Sequence, residues 1–179
     1  MQTCKVSFVG QCGVGKTRLV SYMANDPPEW RHPPTIGADY RMIRCEDRRY
    51  GVWDVSGSEN YESLARQLVH GCDVVVGCFS ISQKSSLSKA FALLSQHSDK
   101  ICVLTAIVDE RHDAYILESA RSYCLSAGIG FCVVGHLPNK KFCCDELVRC
   151  LAQAPVPRTS DTEFTPPPPH SQGECCCLQ

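Results

Sequence analysis

Short apolar runs alternate with longer amphipathic stretches along most of this chain. The apolar runs predict strands near residues 5–10, 38–45, 49–54, 72–79, 100–108 and 130–135. The amphipathic stretches have helical spacing near residues 16–24, 60–70, 83–97, 113–127 and 142–152. Such alternation predicts an α/β domain with a mostly parallel sheet. Strands 38–45 and 49–54 are the exception, because the connection between them is too short for a crossover and therefore predicts a hairpin.

The composition changes after about residue 153. Pro155, Pro157 and the run Pro166–Pro169 lie among Ser, Thr and Asp residues. This composition favours a disordered, partly polyproline segment over packed structure. We therefore expect a folded domain over residues 1–152 and a proline-rich tail over 153–179. The proline run is interpreted as a spacer, with an SH3 or WW ligand as the alternative.

Residues 10–17 form a glycine-rich motif directly between the first predicted strand and the first predicted helix. The motif is G-x-x-x-x-G-K-T, and it predicts a phosphate-binding loop. Its glycines let successive backbone N–H groups point at phosphate oxygens, next to the positive end of the helix dipole. The predicted nucleotide-binding residues here are Gly10, Gln11, Cys12, Gly13, Val14, Gly15, Lys16 and Thr17. Lys16 would reach the β- and γ-phosphates, and Thr17 would bind Mg²⁺. The alternative is a glycine-rich turn that binds no phosphate.

A second phosphate motif follows the second hairpin strand. Asp54 ends that strand and Gly57 follows three residues later, so a carboxylate able to orient Mg²⁺-bound water stands beside an N–H able to contact a γ-phosphate. Thr35 lies in a preceding loop that could close on the same ion. One threonine is weak evidence alone, but together with the two motifs it predicts a magnesium–triphosphate site.

Charge and cysteine content limit the other classes of function. The net charge is −1, which gives no electrostatic footprint for nucleic acid. Fourteen cysteines would suit a disulfide scaffold, but the first residues do not resemble a signal peptide and the thiols are expected to be reduced. Cys72, Cys78, Cys102, Cys124 and Cys132 stand in apolar runs, where cysteine acts as a small hydrophobe. No stretch of 18 apolar residues predicts a membrane span.

Over residues 4–152 the chain resembles the Ras superfamily of small GTPases, and Rab proteins most closely. The resemblance rests on residues 10–17, the stretch 35–39, Trp53-Asp54 with Gly57, and residues 70–74. It implies a P-loop NTPase G domain with a six-stranded, mostly parallel sheet and helices on both faces. It also implies GTP/GDP and Mg²⁺ as cofactors, and switch segments 26–39 and 55–68 that bind effector and exchange proteins. By motif, the catalytic residues are Lys16, Gly57 and Ser58, the metal residues are Thr17, Thr35 and Asp54, and Gly57 contacts the γ-phosphate.

Two departures from the family motifs predict slow hydrolysis. Ser58 stands where the family has a glutamine that orients the attacking water, and its side chain is too short to do the same. Cys12 replaces a small residue and would crowd an incoming arginine finger. The alternative is an ordinary GTPase in which another residue, such as Glu59, orients the water.

The guanine-reading motif departs further. The family motif N-K-x-D aligns with Ile107, Val108, Asp109 and Glu110. Asp109 or Glu110 remains as a carboxylate that could read guanine. The later S-A-K loop is replaced by Gly135-His136-Leu137. A weakened preference for guanine is expected, and ATP binding stays open.

The C-terminal cysteines predict lipid attachment. Cys175, Cys176 and Cys177 precede Leu178-Gln179, an ending that suits either farnesylation of Cys176 or geranylgeranylation of Cys176 and Cys177. Two lipids are expected, because the tail has no basic patch to support one. The chain is therefore expected on the cytoplasmic face of a membrane, with a cytosolic pool. The function favoured is a Rab-like GTP-binding switch in vesicle traffic or signalling. The alternative is a pseudo-GTPase that acts as a lipid-anchored interaction module.

Overall fold

The computed structural model describes residues 3–26, 33–45, 48–108, 114–136, 142–143 and 145–153. The strands are β1 Thr3–Val9, β2 Ala38–Cys45, β3 Arg48–Val55, β4 Val74–Ser80, β5 Ile101–Val108, β6 Gly130–His136 and β7 Phe142–Cys143. The helices are α1 Lys16–Met23, α2 Glu62–His70, α3 Ser85–Ser95, α4 Ala114–Ala127 and α5 Asp145–Gln153. A 3₁₀ turn over Glu59–Tyr61 leads into α2.

The strands form one sheet in the order β2-β3-β1-β4-β5-β6-β7. Strands β3, β1, β4, β5 and β6 are parallel, while β2 pairs antiparallel with β3. The predicted α/β class, the six strands and the hairpin are therefore confirmed.

The seventh strand corrects the prediction at the end of the domain. A helix was expected from residue 142, but Phe142 and Cys143 pair antiparallel with His136 and Gly135, and α5 begins only at Asp145. The short strand covers the edge that β6 would otherwise expose, and unpaired backbone groups at a sheet edge favour such pairing. The seven-stranded sheet thus contains the six predicted strands and one edge strand.

The core consists of two apolar layers, one on each face of the sheet. Side chains of α1 and α5, including Leu19 and Leu147, pack on one face. Side chains of α3 and α4, including Leu94 and Ala120, pack on the other. A Cβ on Gly77 would lie 2.9 Å from Leu94 Cδ1, so the glycine allows α3 to approach β4 closely.

Most of the cysteines singled out from the sequence belong to these layers. Cys72, Cys78, Cys124 and Cys132 are buried and Cys102 is half-buried. The cysteines whose side chains are described are all free thiols. Burial raises the pKa of Cys78 to about 12, so its thiol stays protonated and packs as an apolar group.

The parallel strands end at one common edge of the sheet. The 10–17 loop follows β1 there, Ser56 and Gly57 follow β3, and residues 81–84 follow β4. Loops at the carboxyl edge of such a sheet form the usual ligand-binding crevice. Within the ranges described, no helix is both long and apolar enough to cross a membrane.

Candidate functional site

The backbone of the 10–17 loop depends on glycines with positive φ. Gly10, Gly13 and Gly15 have φ values of 144°, 79° and 101°. At Gly10, space as well as backbone angle demands glycine, because a Cβ there would lie 2.2 Å from the carbonyl oxygen of Cys78. The chain therefore turns sharply off β1 against β4, and α1 begins at Lys16.

Lys16 is directed back into the loop. Its ammonium donates to the carbonyl oxygens of Gly10 at 2.9 Å and Gln11 at 3.0 Å. The side chain is buried, and this burial lowers the pKa of Lys16. A buried cation of this kind favours an anion as its next partner, as phosphate-binding lysines do.

Three side-chain oxygens meet beside the start of α1. Thr17 Oγ1 donates to Asp54 Oδ2 at 2.5 Å and lies 2.9 Å from Thr35 Oγ1. Asp54 is 1% exposed, and its second oxygen, Oδ1, is buried with no partner in the part of the chain described. Burial raises the pKa of Asp54, against the opposing effects of the Thr17 hydrogen bond and Lys16. Two hydroxyls and a carboxylate with an unpaired oxygen are hard ligands, so this set of donors fits Mg²⁺.

Gly57 lies directly against the 10–17 loop. A Cβ at Gly57 would be 2.3 Å from the backbone nitrogen of Cys12 and 2.5 Å from the carbonyl oxygen of Gly10. Just before it, Ser56 N donates to the carbonyl oxygen of Gly37 at 2.9 Å. The backbone after β3 therefore contacts both the 10–17 loop and the segment that carries Thr35.

The residues considered for water orientation lie next to this contact. Ser58 is half-buried, and its backbone N–H donates to Ser56 Oγ at 3.3 Å. Glu59 is exposed and accepts from Lys89 on α3 at 3.2 Å. The structure thus pairs the carboxylate of Glu59 with a lysine of α3.

The end of β5 presents hydrocarbon to the loop. A Cβ on Gly15 would lie 3.5 Å from Ile107 Cδ1, so Ile107 packs against the backbone at the start of α1. Val108 pairs in register with Gly135 of β6. Asp109, Glu110 and Leu137 lie outside the described residues, as do Cys175, Cys176 and Cys177 and the tail from residue 154.

A family model described as "Ras family" matches residues 5–131 of the 179. The chain belongs to the Ras family. Among relatives of this Ras-family chain is "Ras-related protein Rab7A" of Mesembryanthemum crystallinum, 24% identical over 145 residues, or 69% of this chain and 68% of the relative. "Ras-related protein Rab-7a" of Dictyostelium discoideum is 30% identical over 55% of this chain and 49% of its own length. "Ypt/Rab-type GTPase ypt7" of Pyricularia oryzae is 32% identical over 55% of this chain and 48% of its own.

These similarities support a Rab-like small GTPase. The matches span about half the length of the second and third relatives. The Ras-family match ends at residue 131, within β6, and leaves the end of the domain and the tail uncovered.

Sequence reasoning missed one residue at this site. Gln83, between β4 and α3, places its side-chain nitrogen 3.6 Å from where a Cβ on Gly13 would lie. It belongs to no motif and lies 70 positions after Gly13 in the chain. The topology provides the only available signal, because the loop after β4 must neighbour the loop after β1.

Proposed function

We propose that this chain is a Mg²⁺-dependent GTP-binding switch of the Rab type, anchored by lipid and slow to hydrolyse GTP. The observation that carries the proposal is the meeting of Thr17, Thr35 and Asp54. These side chains come from the helix after the loop, the first switch segment and the strand before the second switch. A cation held by them would join all three segments.

Each part of the site has a distinct task in this proposal. The 10–17 backbone and Lys16 bind the β- and γ-phosphates, and Gly57 contacts the γ-phosphate through its N–H. Mg²⁺, when bound, neutralises phosphate charge. The positions of Thr35 and Gly57 then depend on whether the γ-phosphate is present. The conformations of segments 26–39 and 55–68 therefore differ between the GTP and GDP states, and these segments bind effector and exchange proteins accordingly. Asp109 or Glu110 reads the base, with guanine preferred over adenine less strongly than by the full family motif.

Calorimetry on the unmodified chain tests this proposal. We expect GTP to bind in Mg²⁺ and to bind much more weakly in EDTA. A titration with ATP measures the base preference in the same experiment. Equal GTP affinity with and without Mg²⁺, or no binding, would contradict the proposed function.

Hydrolysis is expected to be limited by water orientation. Because the hydroxyl of Ser58 cannot reach an in-line water, Ser58→Gln should raise the single-turnover rate of GTP hydrolysis about tenfold or more. Rapid mixing of the Mg²⁺·GTP complex followed by phosphate detection measures this rate.

Ser58→Leu is the matched control, because it adds comparable bulk without an amide. Its rate should stay at that of the unmodified chain. If the unmodified chain already hydrolyses GTP as fast as Ser58→Gln, another residue orients the water. If neither the unmodified chain nor Ser58→Gln hydrolyses GTP, the pseudo-GTPase function replaces the enzymatic one.

Membrane attachment is proposed to come from the tail. Residues 153–179 would act as a spacer between the domain, residues 1–152, and lipids on two of Cys175, Cys176 and Cys177. The tail contains one Lys or Arg residue, Arg158, so lipid must supply almost all of the affinity. The protein would then lie on the cytoplasmic face of a membrane in vesicle traffic, with a cytosolic pool.

Replacing all three terminal cysteines with serine should release the protein from membranes. A single chain gives only marginal binding, so replacing one of two modified cysteines should leave partial attachment. Fractionation of cells measures the distribution, and replacing half-buried Cys45, at the end of β2, with serine provides a control that should stay on membranes. Mass spectrometry of the terminal peptide separates one farnesyl from two geranylgeranyl groups, and an unmodified peptide from the membrane fraction would contradict the anchor.

A further inference from the structure

Gln83 lies where the phosphate-binding loop and the end of β5 approach each other. It follows β4, which stands between β1 and β5 in the sheet. The same loop is joined to β5 by a hydrogen bond from Ile81 N to the carbonyl oxygen of Ile107, 3.2 Å. Gln83 therefore occupies the carboxyl edge of the sheet, between the predicted phosphate and base regions.

Hydrogen bonds to Ser80 and Ser86 fix the backbone of Gln83. Its N–H donates to the carbonyl oxygen of Ser80 at 3.0 Å, and its carbonyl oxygen accepts from Ser86 Oγ at 2.6 Å. Ser86 is fully buried and also accepts from Ser80 N at 3.0 Å. These bonds fix the point at which the side chain of Gln83 leaves the backbone, beside the 10–17 loop.

The carboxamide of Gln83 reaches the loop at Gly13. Its Nε2 would lie 3.6 Å from a Cβ built on Gly13. Its Oε1 is buried and has no hydrogen-bond partner among the residues described. A buried amide oxygen without a donor is unfavourable, and each such group in a native structure needs an explanation.

The neighbouring end of β5 provides no side-chain donor for this oxygen. Ile107 and Val108 are hydrocarbon, and Ile107 packs against Gly15. A triphosphate has acceptors but no N–H, and the donors that come with it are waters on its Mg²⁺, which tripolyphosphate brings as well. Donors in a nucleotide belong to its nucleoside half, as N–H groups of the base or hydroxyls of the sugar.

We infer that Gln83 is a nucleoside-contacting residue, whose carboxamide oxygen accepts a hydrogen bond from the base or the sugar of the bound nucleotide. This inference rests on the proposed function. Gln83 would give the chain a polar contact to the nucleoside from the loop between β4 and α3. The end of β5 has only the hydrocarbon side chains of Ile107 and Val108 at this place. Gln83 would thus contribute to the choice of nucleotide.

The test compares ligands that differ in their donors. Dissociation constants are measured in Mg²⁺ for GTP, inosine triphosphate, 2′-deoxy-GTP and inorganic tripolyphosphate, on the unmodified chain and on Gln83→Leu. The substitution should weaken GTP binding about tenfold and leave tripolyphosphate binding unchanged. An analogue that lacks the donor should bind the two proteins equally, so insensitivity of inosine triphosphate assigns the base amine and insensitivity of 2′-deoxy-GTP assigns the sugar.

Two further variants support the comparison. Gln96→Leu makes the same change at an exposed position on the surface after α3 and should not affect any of the four constants. If Gln83→Leu does not fold, Gln83→Glu is measured in its place. Glutamate retains a side-chain oxygen that can accept a hydrogen bond. An unchanged GTP constant, or an equal loss for GTP and tripolyphosphate, would overturn the inference, because Gln83 would then only support the loop. If the unmodified chain binds none of the nucleotides, the proposed function itself fails.

Discussion

Replacing Gly10 with alanine should lower the free energy of unfolding by about 4 kcal/mol or more. The φ of 144° is unfavourable for alanine, and the added Cβ would lie 2.2 Å from the carbonyl oxygen of Cys78. That oxygen belongs to the central strand β4, so it cannot move aside cheaply. Urea denaturation followed by circular dichroism measures the change.

Gly128→Ala separates the clash from the cost of the backbone angle. Gly128 also has a positive φ, 66°, but a Cβ there would meet no atom of the described residues within 4 Å. This variant should lose only about 1 kcal/mol, the cost of placing alanine in the left-handed region. Equal losses in the two variants would show that contact with Cys78 does not determine the requirement for glycine at position 10.

Replacing Lys16 with alanine should weaken GTP binding about a thousandfold. The ammonium is the buried cation of the loop, and without it the phosphate charge would be met mainly by backbone N–H groups. Fluorescent GTP titration in Mg²⁺ measures the affinity. Thr17→Asn should cause a large loss that appears only in Mg²⁺, because it removes a predicted ligand of the cation and leaves Lys16 in place.

Lys89→Ala is the matched control for charge. Lys89 carries the same ammonium but pairs at the surface with Glu59, and exposed pairs of this kind contribute little. Its GTP affinity should remain close to that of the unmodified chain. A comparable loss in Lys89→Ala would mean that general positive charge, rather than the buried ammonium, determines affinity.

Strands and helices were predicted well where neighbouring residues form a clear apolar pattern or a short connection. The strand before Gly10 and the helix from Lys16 have clear apolar patterns, and both elements are found within two residues of their expected bounds. The hairpin followed from a short connection alone. The short strand Phe142–Cys143 was missed, because two residues carry no periodicity and their pairing depends on the position of β6.

Contacts between distant segments were harder to predict. The grouping of Thr17, Thr35 and Asp54 was expected from motifs, and the structure brings their oxygens together. The approach of Gly57 to the backbone of Cys12 and the position of Gln83 depend on how three loops meet in space. No spacing along the chain encodes those distances, so only the fold could supply them.

The hydrogen bonds among Thr17, Thr35 and Asp54 have a consequence for the order of binding. These oxygens already satisfy one another in part, so a cation that takes them must displace hydrogen bonds that contribute about 1 kcal/mol each. Free Mg²⁺, which gives up its water reluctantly, gains little from that exchange. A cation already attached to a triphosphate brings with it the phosphate charge that Lys16 requires. Metal and nucleotide should therefore enter as one complex. In the absence of nucleotide, the protein should bind Mg²⁺ only weakly.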